Sequence, residues 1–285
     1  MQEIIIVVLA HNEERRIAAC LASLPLGDPA VAIHVVVNGS TDRTAAIARA
    51  VGGAAVTVHE WSESGKSRSW NRFILDTPEL AAETFVFVDG DAVILPGSVA
   101  ALARTLSARP DANAAAGLPA NGRRAAAYRR ELAASHGVFG DLYALRGSFV
   151  ARLRASGIRL PDDLVGDDGL IGALAKTNLG PEQDWQNTRI EPCAEAGFHC
   201  EPARLLAPGS WRTQYRRMIN YSVRHFQNRM IGTIMRSTGP GGLPAQLAEH
   251  YSEWLPQFSA RRDPQWWWFD RKALVRMQLA ALGKP

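Results

Sequence analysis

A strand-length apolar run that breaks into polar residues, and then into a helical stretch, recurs along the first 91 residues. Few folds accommodate that rhythm. Residues 4–9 form a β-branched run followed by Asn12-Glu13-Glu14, a helix-capping residue with acids where a first turn would carry them. Residues 31–37 repeat the pattern, with Gly39-Ser40-Thr41-Asp42 preceding a helix over 43–51. Residues 56–59 precede a helix near 67–75, and a fourth run, 84–88, ends in Asp89-Gly90-Asp91. This alternation predicts an α/β fold with a Rossmann-like, mainly parallel sheet flanked by helices. In such sheets the ligand crevice lies beyond the carboxyl ends of the strands. There the sequence places His11, Asn12 and Glu13, then Asn38, Lys66, Arg68, Asp89 and Asp91.

Farther along, 111–118 reads as another strand and 123–135 as a helix, and Gly166-Asp167-Asp168 opens a helical stretch over 169–175. Beyond Pro208, residues 211–235 read as a long basic helix or a helix pair, and Gly239-Pro240-Gly241-Gly242 is a break. With 285 residues and 47% hydrophobic composition the chain can bury a full core. The expected division is a first unit over 1–205, in two halves (1–95 and 96–205), and a helical C-terminal extension over 206–285. No run reaches the eighteen or so apolar residues of a membrane span, and the start lacks a basic leader. A cytoplasmic protein is expected. Cys20, Cys193 and Cys200 are too few and scattered for a disulfide framework and read as reduced thiols.

Charge is uneven. Residues 204–285 hold thirteen Lys and Arg against four Asp and Glu, a surplus of nine within a net charge of +4, which leaves the rest at −5. An anionic partner is expected for that end. No nucleic-acid-binding module accompanies the charge, so nucleic acid is not expected. The tail also carries Trp266-Trp267-Trp268-Phe269 among Arg261, Arg262, Arg271 and Lys272. Packing over the first unit is the favoured reading; a homodimer contact or a peripheral anchor on an anionic membrane are the alternatives.

Asp89-Gly90-Asp91 is the strongest chemical signal. Alternate residues of an extended segment point to one side, so both carboxylates can share a hard divalent ion while Gly90 permits close backbone approach. Ser64-Gly65-Lys66-Ser67 is not a P-loop, because Glu60 stands where that pattern needs glycine. Lys66 still suits an anion, lying in a glycine turn before a helix. No G-x-G-x-x-G is present.

Residues 8–14 (VLAHNEE), 37–44 (VNGSTDRT), Gly65-Lys66 with Asn71, and Val88-Asp89-Gly90-Asp91 with Pro96-Gly97 together resemble successive blocks of family 2 glycosyltransferases. Gly166-Asp167-Asp168 is similar to that family's acidic block, and Gln214-Tyr215-Arg216-Arg217-Met218 to its Q-x-x-R-W block. The resemblance implies a GT-A fold, a nucleoside-diphosphate sugar donor, Mg²⁺ or Mn²⁺, and inversion at the anomeric carbon. It implies that Ala10, His11 and Glu13 contact the nucleoside, that Asn38 reads the base edge, and that Lys66 and Gly90 adjoin the nucleotide. Asp91 would be the main metal ligand, with Asp89 near the ribose or metal and His199 reaching the metal or diphosphate. Asp168, beside Asp167, would be the base that takes the proton of the attacking hydroxyl. Trp211, Gln214 and Arg217 would line the acceptor or hold the diphosphate, the acceptor being a lipid or a glycan. A UDP-sugar is the favoured donor, although Asn38 stands where relatives often have aspartate, Asp167 replaces glutamate and Met218 replaces tryptophan. A retaining transferase and a catalytically silent sugar-nucleotide or membrane-surface module are the alternatives.

Overall fold

The computed structural model describes residues 2–122, 124–200 and 210–283. β1 (Gln2–Ala10) shows why its sequence is apolar without interruption. Ile5, Val7 and Leu9 face one core layer, and Ile6, Val8 and Ala10 face another. A strand buried on both sides has no polar face to offer. β2 (Val31–Asn38) and β4 (Ala82–Asp89) follow the same rule, and β3 (Val56–Trp61) closes the edge.

These four strands run parallel, as the sequence predicts, and stand in the order β3-β2-β1-β4. Past β4 the sheet is mixed. β5 (Ala92–Ile94), β6 (Ala114–Pro119), β7 (Leu142–Arg146) and β8 (Ile190–Cys200) complete the order β4-β7-β6-β8-β5. β7 is antiparallel to both β4 and β6, β8 is parallel to β6, and β5 is antiparallel to β8.

One face of the sheet is covered by α1 (Ile17–Ala22), α2 (Thr44–Gly52) and α4 (Ser98–Ala108). The other is covered by α3 (Lys66–Leu75), α6 (Gly147–Ser156), α7 (Asp167–Thr177) and α8 (Ser210–Ser237). α5 (Ala125–Ser135) lies before β7. α9 (Tyr251–Trp254) and α10 (Pro264–Ala281) close the chain. Phe226 and Met230 of α8 and Met277 of α10 belong to the same buried cluster as Ile5 and Phe85, so the C-terminal helices share the core of the sheet. The expected domain boundary at 205/206 and the expected helix start at Arg123 lie outside the described residues. Among the described residues, no helix is long and apolar enough to cross a membrane.

One expectation needs correction. The first helix does not start at Asn12-Glu13-Glu14 but at Ile17. Asn12 adopts a left-handed φ of 55°, and the amides of residues 12–14 bond across the chain instead of opening a helix. Asn12 N donates to Ser40 Oγ (2.9 Å), Glu13 N to Thr44 Oγ1 (2.7 Å) and Glu14 N to Asp42 Oδ2 (3.1 Å). Of the two readings of 211–235, the long helix holds: the stretch is part of one 28-residue helix. All three cysteines are free, as expected.

Candidate active site

The carboxyl ends of β1, β2 and β4 form the floor of the site. Gly90 N donates to Leu9 O at 2.9 Å, and a Cβ at Gly90 would lie 2.8 Å from the Ala10 Cβ, so this approach admits only glycine. Asn38 is 3% exposed. Its Nδ2 donates to Ala10 O (3.2 Å), while its Oδ1 accepts from Gly65 N (3.3 Å). Its amide therefore clamps β1 to the turn that presents Lys66. His11 Nδ1 lies 2.6 Å from Asn38 O, and Asn12 Nδ2 lies 3.0 Å from His11 Nε2. A carbonyl only accepts and an amide nitrogen only donates, which places the imidazole proton on Nδ1.

The acidic group is larger than the sequence suggested. Antiparallel pairing sets Val88 opposite Leu142, and one step farther the same register sets Asp89 opposite Asp141. Asp89, Asp91 and Asp141 each offer a carboxylate oxygen within 4.8 Å of the others. Lys66, the first residue of α3, reaches into this group. Its Nζ lies 2.7 Å from Asp89 Oδ1 and 3.5 Å from Asp167 Oδ1. Gly140 leaves room for that side chain, since a Cβ there would sit 3.0 Å from Lys66 Nζ. Arg16 spans Glu13 (2.5 Å) and Asp91 (3.3 Å).

These cations do not balance the acids. Burial pushes the Asp89 carboxyl up to about 8 against the pull of Lys66, with Asp141 adding to the rise. Burial and the Asp91 charge push Asp141 up to about 6 and Glu13 up to about 7, in Glu13 against the pull of Arg16. Burial opposes the charge on Lys66, but Asp167 and Asp89 more than offset it and hold the amine protonated. Three converging carboxylates with surplus negative charge suit a hard, oxygen-preferring divalent ion, whose own charge would restore their ionised form.

Asp167 and Asp168 begin α7 from the facing side. Asp167 is 2% exposed, and its Oδ2 has no hydrogen-bond partner among the described residues. Asp168 Oδ1 accepts from Arg224 Nη2 of α8 at 2.8 Å. Gly166 allows this crossing, since its φ is +86° and a Cβ would lie 2.5 Å from Arg224 Nε. Trp211 and Gln214 line a cavity of about 680 Å³ at the start of α8, with Tyr215, Met218 and Phe269. Arg217 lies outside that lining and donates to Tyr221 Oη at 3.4 Å. A second cavity of about 260 Å³ follows the α7–α8 seam from Gly169, next to Asp168, to Trp185. His199 is exposed on β8 opposite Val93, and the carboxylate group gathers without it.

The structure thus brings together Glu13, Lys66, Asp89, Asp91, Asp167 and Asp168. Sequence reasoning missed Asp141, Arg16 and Arg224. The only local signal for Asp141 was a Gly-Asp pair ahead of an apolar run, and Arg224 looked like any cation of a basic helix.

Comparison with known proteins gives a family and a fold likeness. The sequence model of glycosyl transferase family 2 matches residues 5–162. Protein RfbJ of Shigella flexneri is 32% identical over 88 residues, a stretch that spans 31% of this chain and 64% of that protein. Among solved structures, the fold is similar to that of the mannosyltransferase PcManGT from Pyrobaculum calidifontis in complex with GDP-Man and Mn²⁺. The TM-score is 0.58 at 19% identity, over 98% of this chain and 86% of the other. It is also similar to glucosyl-3-phosphoglycerate synthase from Mycobacterium tuberculosis in complex with Mn²⁺, UDP-Glc and phosphoglyceric acid. That TM-score is 0.51 at 20% identity, over 75% and 78% of the two chains.

Proposed function

The chain belongs to glycosyl transferase family 2, whose model covers more than half of it, and on that premise we propose that it moves a sugar from a nucleoside-diphosphate donor to an acceptor hydroxyl with inversion. The observation that carries this reading is the convergence of Asp89, Asp91 and Asp141 at the end of β4, facing Asp168. A metal would be held by those three carboxylates. Mg²⁺ or Mn²⁺ bound there would supply Lewis-acid neutralisation of the departing diphosphate.

The chain's own residues do the rest. Ala10, His11 and Glu13 border the nucleoside, and Gly90 lets the donor lie close to the strand ends. Asn38 acts on the base through the backbone it clamps. Lys66, held protonated between Asp89 and Asp167, fixes the position of both carboxylates and offers its charge to the diphosphate. Asp168 takes the proton of the attacking hydroxyl, and Arg224 holds that carboxylate toward the acceptor. Attack from the face opposite the leaving group inverts the anomeric centre. Trp211, Gln214 and Arg217 lie on the acceptor side, and His199 is a further candidate contact for metal or diphosphate. Residues 1–205 make up the catalytic unit, and 206–285 the extension that brings Arg224 to it.

A thermal-shift screen of UDP-, GDP-, CDP- and dTDP-sugars with and without Mn²⁺ tests the reading, because a ligand that binds only the folded state must raise its stability. UDP-sugars are the first to try. A metal-dependent shift with one nucleotide class, lost in Asp91→Ala, is expected. No shift with any of them would overturn the donor site.

A further inference from the structure

α10 uses only one side to pack. Ala273 and Met277 enter the core, and Asp270 is buried in an ion pair with Arg261 at 2.6 Å. At about 100° per residue, Trp268, Val275 and Leu279 then fall on the opposite side, with Trp267 on its flank. They are exposed there, Trp268 at 50% and Val275 at 54%, and Leu282 just beyond the helix reaches 63%. A solvent-facing helix surface is ordinarily polar and of mixed charge. This one is not.

The ionisable groups among those residues are cations: Arg276 donates to Asn220 Oδ1 of α8 at 2.7 Å, and Arg271 and Lys272 each cover a ring. The Arg271 guanidinium lies 4.8 Å from the Trp267 centroid, and the Lys272 ammonium 4.8 Å from that of Trp268. The acids of this segment are engaged elsewhere: Asp270 is buried, and Asp263 caps the helix by accepting from Gln265 N at 2.8 Å. The first turns of α8 extend the surface. Tyr215 meets Phe269 of α10 at 5.9 Å, Trp211 is 73% exposed, and Arg212 and Arg216 stand beside them. Trp266, in contrast, lies under Arg261 at 4.4 Å and is half-buried, so packing accounts for only part of the tryptophan run.

We propose that the outward face of α10, continued by the first turns of α8, docks the protein onto an anionic phospholipid surface. Aromatic rings suit headgroup depth, the aliphatic side chains suit the acyl boundary below it, and the cations suit lipid phosphate. Exposed aliphatic side chains gain nothing from a nucleic-acid backbone. Two copies meeting through this face about a two-fold axis would set cation against cation.

The test is co-sedimentation of the full chain with vesicles of phosphatidylcholine, with and without phosphatidylglycerol. Binding is expected only with phosphatidylglycerol, together with a blue shift of tryptophan emission, and it weakens as salt rises. Trp267→Ser with Trp268→Ser, and separately Arg271→Gln with Lys272→Gln, should each weaken it by about tenfold or more. The thermal midpoint and nucleotide binding of these variants should stay at the wild-type level, since the exchanged residues lie outside the core and the donor site. Absence of lipid-dependent sedimentation, or binding that survives both double variants, would overturn the proposal. So would a wild-type dimer that the Trp variant dissolves without any vesicle binding, which would assign the face to a second copy.

Discussion

In the first half of the sheet each strand hands its polar residues to the site directly, whereas in the second half the site residues come from positions that strand pairing and helix packing define. β1, β2 and β4 end in Ala10, Asn38 and Asp89, so chain order and site geometry coincide. Asp141 enters because β7 returns antiparallel beside β4 after α4, β6 and α5 have intervened. Arg224 enters because α8 crosses the start of α7, 56 residues away in sequence. A local βα unit announces its function in its own residues; a remote pairing does not.

Removing one carboxylate from each half is the strongest way to break this contrast. Asp91→Ala should lower kcat/KM by roughly 10³-fold and Asp141→Asn by roughly 10²-fold, with Mn²⁺-dependent stabilisation by nucleotide lost in the first and weakened in the second. Near-normal turnover in Asp141→Asn would leave the metal site to the first half alone.

Asp168 and Arg224 sharpen the contrast on the acceptor side. Asp168→Asn should lower kcat by roughly 10²-fold or more while the donor still binds. Arg224→Gln should lower kcat by about tenfold with donor KM little changed, because under the proposed mechanism misplacing Asp168 slows chemistry without emptying the donor site. A loss confined to donor KM in either variant would move these residues to the diphosphate.

Glycines compare the two halves in stability. Gly90→Ala would force a Cβ to 2.8 Å from Ala10, and Gly166→Ala would place one 2.5 Å from Arg224 at a φ of +86°. Each should cost about 2–3 kcal/mol in urea unfolding. A neutral Gly166→Ala would show that α8 yields at that crossing.

The smallest expected effect tests the first half alone. Burial, with His59 3.0 Å away adding to it, pushes the His34 imidazole down to about 4. The unfolded chain takes up this proton below about 6.5 and the folded chain only near 4, so the unfolded state binds more protons between those values. The associated stability is complete above pH 6.5 and is lost as pH falls toward 4, by about 2 kcal/mol after allowing for partial solvation. His34→Gln should flatten that part of the pH dependence, as read by urea midpoints at pH 7 and pH 4.5.

The legible and hidden parts of the fold divide along the same line. β1 to β4, α2 and α3 were readable to within two residues, because unbroken apolar runs and polar turns carry their own boundaries. β7 and β8 were not: Leu142-Tyr143-Ala144-Leu145 suits a helix as well as a strand until β4 and β6 flank it. The tryptophan run was visible in the sequence, but which rings pack and which face outward depended on the turn of α10 relative to α8.

The amino-acid sequence by itself determined the α/β class, the positions of the first four strands along the chain and the placement of Asp89, Asp91, Lys66 and Asp168 at helix and strand ends, since each follows from periodicity and turn chemistry over a few residues. Only the tertiary structure decided that Asp141 completes the acidic group, that Arg224 holds Asp168 and that α10 turns tryptophans and cations outward. Those outcomes depend on which distant segments share a strand register or a helix crossing. That choice is made by the burial of the whole core rather than by any short stretch of chain.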